Sequence, residues 1–331
     1  MSIVHRISQI AAVLAIAVLA PSLAGAEPFK VVAFAGSSNW PFWAAQEKGL
    51  FAREGLDATL TITPNSVELA KNLQAGRFDL ALSSIDNIVA YNEGQGEADL
   101  GGPADFVALF GVDNGLLNVV AAPAIKSVAE LKGKTLSVDA MTTGFAFVLR
   151  DVLARRGLGE DDVKLVRVGG GAQRLQALLS GSNDATLLNT PLDLIANAQG
   201  FNTLVRVRDE LGAYQGIVGA ATRSAAARDR ARMVAFVRGF SAGVAWLADP
   251  ANRVEATALL ANRMKMEPAI AEKSYDVLVA GPGGIYRDLK ISREGLNTVL
   301  ALRSRYALNP KPLTDADRYM DDSIRSEALG R

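Results

Sequence analysis

The sequence predicts an α/β protein made of two similar lobes with a cleft between them. Three observations lead there. Short apolar strands alternate with amphipathic helices from residue 30 onward, the alternation recurs at a fixed interval, and the last third turns helical. Alternating strands and helices argue for mostly parallel sheets with helices on both faces.

The elements follow in order. Lys30 to Ala35 is a buried strand, broken by Gly36-Ser-Ser-Asn39. Pro41 suits the first turn of a helix, where a missing N–H costs little, and that helix runs to about Glu54. Asp57 to Thr63 alternates as a second strand. Asn65 and Glu68 form a capping-box-like start to a helix ending at Gly76. Phe78 to Leu82 is a third strand, and Ser83-Ser84 opens the next helix. The pattern then repeats. Strands are expected at 136–139, 163–168 and 184–188. Helices are expected from Phe145 to near Gly157, from Gly171 to Gly181, and from Thr190-Pro191-Leu192-Asp193 to near Gly200.

The two passages share one register. Gly76 and Gly181, Asp79 and Asp184, and Leu60 and Leu165 are each 105 residues apart (181 − 76), and both passages contain Leu-x-x-Gly-x-x-Asp. Two units are too few for a solenoid, so the repeat reads as two similar lobes, and the paired aspartates read as orienting the strand starts. From about Ser224 the pattern is helical. Met233, Phe236, Val237, Phe240 and Val244 line one face of a helix from 231 to 247, with further helices at 251–262, 267–279, 292–306 and 314–327. Two extended stretches, 118–122 and 216–221, are expected to cross between lobes and form a hinge. This gives a first lobe over 27–117, a second over 123–215, and a return to the first over 222–331.

The N-terminus reads as a secretory signal. His5 and Arg6 precede an apolar run from Ile10 to Leu19, and Ala24-Gly25-Ala26 is a small-x-small cleavage site before Glu27. The run is shorter than the ~20 residues a membrane-spanning helix needs. The expectation is export to a Gram-negative periplasm with cleavage after Ala26. With no cysteine after the run, no lipid anchor is expected.

Composition narrows the chemistry. The 331 residues carry 35 basic and 35 acidic side chains, no cysteine and one histidine, His5. A zero net charge gives no footprint for nucleic acid. Disulfides, zinc–thiolate centres and iron–sulfur clusters are excluded. There is no Gly-x-Ser-x-Gly elbow, and Gly169-Gly-Gly171 has neither the Walker lysine nor the Gly-x-Gly-x-x-Gly spacing. No catalytic residue, metal or cofactor is expected, and the protein reads as a non-enzyme; a small-molecule enzyme such as a hydrolase or a pyrimidine-synthase relative is the alternative, disfavoured by the lack of cysteine and of any histidine beyond His5.

Several stretches resemble a known family. Pro41-Phe-Trp-Ala-Ala-Gln-Glu-Lys-Gly-Leu-Phe-Ala-Arg-Glu-Gly-Leu56 resembles the opening signature of the NMT1-like substrate-binding proteins of ABC importers. Leu73 to Leu80, Ser127-Val-Ala-Glu-Leu-Lys-Gly-Lys134, and Leu178 to Ala185 followed by Pro191 resemble later family segments. The resemblance covers roughly 28–205. It implies the type II periplasmic binding protein fold, closure on a ligand, and delivery to an inner-membrane permease with its ATPase. It further implies a monomer and cargoes among taurine and other sulfonates, nitrate or thiamine pyrimidine precursors. Presentation to a sensor kinase or a TRAP-type carrier is the alternative partner. Relatives with an acidic residue near the second-lobe proline meet a basic ligand group there. This chain has Leu188-Asn189-Thr190-Pro191, so that preference is not carried over.

In open α/β sheets, ligands sit outside the carboxyl ends of the strands. That rule selects Ser38, Asn39 and Trp40, Asn65, Ser83, Ser84 and Asp86, and Asp113 from the first lobe. From the second it selects Thr142, Thr143 and Gly144, Gly170, Asn189 and Thr190. Ser, Thr, Asn and Gly at helix starts can hold a polar group with backbone N–H groups. Trp40 is a candidate for stacking on a flat ligand, Asp86 and Asp113 for meeting a cationic group, and Gly169–Gly171 for backbone room on closure. These loops contain no Lys or Arg, Arg174 being the nearest, which favours a neutral polar or monoanionic ligand over a dianion.

Overall fold

The computed structural model describes residues 27–281 and 283–330. The signal-peptide expectation lies outside them. Ten strands form two five-stranded sheets. They are β1 (Phe29–Phe34), β2 (Ala58–Thr63), β3 (Leu80–Ser84), β4 (Phe106–Gly111), β5 (Leu117–Ala121), β6 (Thr135–Val138), β7 (Lys164–Arg167), β8 (Ala185–Asn189), β9 (Asn202–Arg206) and β10 (Ile217–Thr222). The first sheet has the order β2-β1-β3-β10-β4 and the second β7-β6-β8-β5-β9. The two orders are equivalent, so the lobes share one topology.

The repeat in the sequence is physical. In β1, Val31 pairs with Leu60; in β6, Leu136 pairs with Leu165. The Asp79 carboxylate accepts the N–H of Lys30 at 2.7 Å, and the Asp184 carboxylate accepts that of Thr135 at 2.8 Å. Each aspartate thereby satisfies a backbone donor near the start of an equivalent strand, β1 in one lobe and β6 in the other. Gly76 and Gly181 both close a helix with positive φ, 66° and 74°, where a side chain would be strained.

The hinge is displaced from its expected position. Residues 118–122 and 216–221 are not crossings. They coincide with β5 and β10, each an inner strand antiparallel to its neighbours. A strand arriving from the other lobe has both backbone edges to satisfy and does so by pairing on both sides. The chain therefore crosses at 112–116 and 207–216. There the two crossings hold each other: Gly216 N–H donates to the Asp113 carbonyl at 3.0 Å, and Val112 N–H to that of Ile217 at 2.8 Å. A Cβ on Gly216 would stand 2.1 Å from the Gly115 nitrogen, so glycine is required where the backbones touch.

The C-terminal third is helical with two departures. Arg230–Ala248 buries Phe236 and Phe240; Phe236 stacks on Phe29 and Phe51 with centroids 4.9 and 5.1 Å apart. Expected helix 267–279 splits into Pro268–Tyr275 and a π-helical turn, Asp276–Ala280. Expected helix 314–327 is reduced to a short turn, Ala316–Arg318, and a helix, Ser323–Leu329. The break lets Met320 form a bridge to Ala108 on the outer edge of β4. The helix Arg293–Tyr306 packs on Ile85–Asn92 of the first lobe and on Gly144–Arg155 of the second, so the return segment touches both lobes.

Candidate functional site

The two sheets point their carboxyl ends at each other, and the lobes are in contact there. Ser37 Oγ donates to the Thr190 carbonyl at 2.6 Å, Ser66 Oγ to Asp139 Oδ2 at 2.9 Å, and Gly170 N–H to the Pro64 carbonyl at 3.3 Å. Between them lies a cavity of about 70 Å³, lined from both lobes and from the hinge.

Each wall comes from a strand end. After β1, Gly36, Ser38 and Asn39 line it; Ser84 ends β3, and Asn87 sits one turn into the helix Ile85–Asn92. Gly115 and Ile217 contribute the hinge. From the second lobe come Asp139 beyond β6, Thr143 to Phe145 at the start of Gly144–Arg155, Gly170 and Gly171 beyond β7, and Asn189 at the end of β8. Arg174 reaches back from the helix Gly171–Leu179, as helical side chains lean toward the N-terminus. The Asn189 carboxamide lies between the lobes: a Cβ on Gly36 would come within 3.7 Å of its Nδ2, and one on Gly171 within 3.4 Å of its Oδ1.

One basic and one acidic side chain line the cavity, Arg174 and Asp139, both buried. Arg174 donates to the carbonyls of Gly169 at 2.8 Å and Leu187 at 3.1 Å, and burial pushes its guanidinium down to about 10. It therefore stays charged at neutral pH. Burial pushes the Asp139 carboxyl up; Arg174 and the Ser66 hydrogen bond pull it the other way.

Of the fourteen residues selected from sequence, the structure brings Ser38, Asn39, Ser84, Thr143, Gly144, Gly170 and Asn189 to the cavity wall. The others lie elsewhere. Trp40 is fully buried, edge-on to Tyr275 with centroids 6.0 Å apart, because its helix turns that face into the first-lobe core. Asn65 caps its helix by accepting from Glu68 N–H at 2.9 Å. Ser83 is buried and accepts from Asn87 Nδ2 at 3.0 Å. Asp86 meets a cation, but the cation is Arg303 of the same chain, at 2.7 and 2.6 Å. Asp113 accepts from Ser38 Oγ at 2.6 Å and from the N–H groups of Gly115 and Ile217, which makes it a hinge residue. The Thr142 carbonyl accepts from Arg303 at 2.8 Å. Thr190 lies at the lobe contact, and its helix is capped from Pro191 without a side-chain bond. Asp139, and Arg174 noted from sequence only as the nearest basic residue, also line the cavity. Asp139 does stand directly after a strand, and Arg174 one turn into a helix that starts at the cavity; those positions were the available signal.

Asp193, in the helix Leu192–Ala198, has a pH consequence of its own. It is buried and accepts from Asn118 Nδ2 at 2.8 Å. Burial pushes its carboxyl up to about 6 against hydrogen bonds from Thr190, the backbone and Asn118. An unfolded aspartate releases its proton near ~4. Between about pH 4 and 6 the native state thus binds more protons than the unfolded one, and stability falls as pH rises through that window. Asp193→Asn should abolish this slope and be about 1–3 kcal/mol more stable than the parent at pH 7.5. At pH 4.5 the advantage should shrink, as urea melts at both pH values will show. Equal stability at pH 7.5 would mean that the carboxylate is solvated after all.

Equivalent lobes, a paired-strand hinge and a cavity between strand ends define the fold of periplasmic solute-binding proteins of ABC-type import systems. Known proteins agree. The family described as NMT1/THI5 like matches residues 37–253, and the chain belongs to that family. The alkanesulfonate-binding protein SsuA from Xanthomonas axonopodis pv. citri, solved bound to MOPS, superposes with a TM-score of 0.71 at 19% identity, covering 90% of this chain and 100% of that one. The periplasmic nitrate-binding protein NrtA from Synechocystis PCC 6803 superposes with a TM-score of 0.75 at 14% identity, covering 92% and 89%. A protein from Brucella abortus (strain 2308), named as a binding protein, is 32% identical over 125 residues, 38% of this chain. The matching part spans only 36% of that relative's length.

Proposed function

We propose that this chain is a periplasmic solute-binding protein. It captures a small polar or monoanionic organic molecule between its lobes and delivers it to the permease and ATPase of an ABC importer. The observation that carries this reading is the cavity itself: small, placed at the carboxyl ends of both sheets, lined from both lobes and from the hinge. The relatives named for binding sulfonates and nitrate support it, as does the apolar leader before Glu27. In this reading the ligand bridges the lobes, the two crossings flex about the Asp113–Gly216 contact, and the importer recognises the closed form.

The test is a thermal-shift screen of protein beginning at Glu27 against sulfonates, nitrate, carboxylates, pyrimidines and amino acids. A ligand at 100 times its dissociation constant should add about 2.7 kcal/mol of stability. Small-angle scattering should then show compaction with the hit, and the hit should be recovered unchanged. A bound ligand that leaves the particle's dimensions as they were would sink the closure mechanism; consumption of the ligand would make the protein an enzyme.

A further inference from the structure

We propose that Glu97 is a latch between the lobes, a positioning residue that holds the walls of the cavity together over the cargo without lining the cavity itself. This rests on the solute-binding reading above and deepens it. Glu97 lies in the first lobe, in the loop between the helix Ile85–Asn92 and β4, away from the cavity wall. Both of its carboxylate oxygens are taken by the second lobe. Oε1 accepts the N–H groups of Met141 at 2.6 Å and Thr142 at 3.3 Å, and Oε2 lies 3.1 Å from Nη1 of Arg167. Among the described residues, the carboxylate has no hydrogen bond or ion pair within its own lobe. Its loop is anchored from behind. The N–H groups of Gly94 and Ala104 both donate to the Tyr91 carbonyl, at 3.2 and 2.9 Å, and Gln95 N–H donates to that of Ala90 at 2.7 Å. A Cβ on Gly96 would stand 2.3 Å from the Tyr91 ring, so glycine lets the loop lie against it.

The contacts fall on the segments that wall the cavity. Met141 and Thr142 sit between Asp139 and Thr143, which both line it, and Arg167 ends β7 shortly before Gly170, which also lines it. One carboxylate therefore fixes two second-lobe strand ends, those of β6 and β7, against the first lobe. Asp86 also reaches across, to Gly144 N–H, but it keeps Arg303 of the return segment as a partner. Glu97 has partners only when the lobes meet. When they part, its oxygens and the two N–H groups return to water. A contact made in one of two conformations shifts the equilibrium between them by its own free energy. Hydrogen bonds to a charged group are among the stronger ones, whereas the half-exposed Arg167 adds little. The bias acts with or without cargo, and a cargo that needs both walls binds more tightly because of it.

The chain has no cysteine, so Pro64→Cys with Gln173→Cys supplies a single reporter pair in protein beginning at Glu27. Both positions are exposed and meet across the lobes, Gln173 Nε2 donating to the Pro64 carbonyl at 3.3 Å. Disulfide trapping under mild oxidant then reads how often the lobes meet, with no cargo required. Adding Glu97→Ala should slow trapping about tenfold or more. Glu97→Gln, which keeps an oxygen for the two N–H groups but loses the charge, should slow it about threefold. The reactivity of each single thiol toward a monofunctional reagent and the melting temperature of the reduced protein should stay as in the parent pair. Equal trapping in Glu97→Ala and the parent pair would overturn the proposal, as would a parent pair that is never trapped. A melting temperature lowered by more than about 4 °C in Glu97→Ala would overturn it too, by making Glu97 a residue of its own lobe's fold. All three results leave the solute-binding reading standing. A thermal-shift screen without a hit would instead count against that reading and the cargo-holding role, while the trapping rates decide the contact on their own.

Discussion

Replacing Arg303 by methionine should lower the unfolding free energy by about 3–5 kcal/mol, because it leaves a carboxylate buried without its counter-charge. Arg303 and Asp86 are 0% and 1% exposed and meet through two parallel contacts, Nε to Oδ1 at 2.7 Å and Nη2 to Oδ2 at 2.6 Å. The guanidinium also lies over the Phe147 ring, 4.9 Å from its centroid. At roughly 2–4 °C per kcal/mol, the melting temperature should fall by about 10 °C. The double variant Asp86→Leu, Arg303→Met should recover much of the loss, since removing both charges of a buried pair costs far less than removing one. Thermal and urea melts of the two variants and the parent decide the matter. A single variant melting within about 2 °C of the parent would mean that water reaches Asp86 and pairing matters little.

That pair also shows where sequence reading stops. Six of the strands, most helices of both lobes and the duplication were legible because hydrophobic period and glycine placement are local signals; β4 and β9 were not read as strands, and the helix expected to run to Glu54 breaks at Lys48-Gly49. Asp79 and Asp184 could be assigned to strand starts because the repeat placed them identically. The hinge was misplaced because an apolar strand looks the same whether it crosses between sheets or sits inside one. The partner of Asp86 lies 217 residues away in a helix whose own periodicity gives no hint of the contact. Asp86 therefore looked like a free anion near a ligand loop. Asp139 and Arg174 were hidden for the related reason that a charged side chain is read as solvated until the tertiary structure buries it. Trp40 shows the converse. A large aromatic beside a polar loop suggested a stacking platform, and the orientation of its helix placed it in the core.

Gly144→Ala should weaken ligand binding about 10- to 100-fold while leaving the melting temperature of the ligand-free protein nearly unchanged. Gly144 N–H of the second lobe donates to Asp86 Oδ2 of the first at 2.5 Å. A Cβ on Gly144 would stand 2.5 Å from Asp86 Cγ and 2.6 Å from Asp86 Cβ. Asp86 has nowhere to move, since Arg303 grips both of its oxygens and Arg303 in turn donates to Thr142, two residues before Gly144. The clash therefore exists only when the lobes meet, and separating them by a small hinge rotation relieves it. The penalty falls on the closed, ligand-holding form alone. It combines overpacking, typically about 1–3 kcal/mol, with a lengthened charge-assisted hydrogen bond. Calorimetry with a verified ligand reads the affinity, and small-angle scattering should show the variant remaining expanded at ligand concentrations that compact the parent. Equal affinity and equal compaction would mean that the ligand is held without the second lobe seating on Asp86. A large fall in the ligand-free melting temperature would mean that the lobes stay pressed together in the absence of cargo, with the latch serving stability rather than capture.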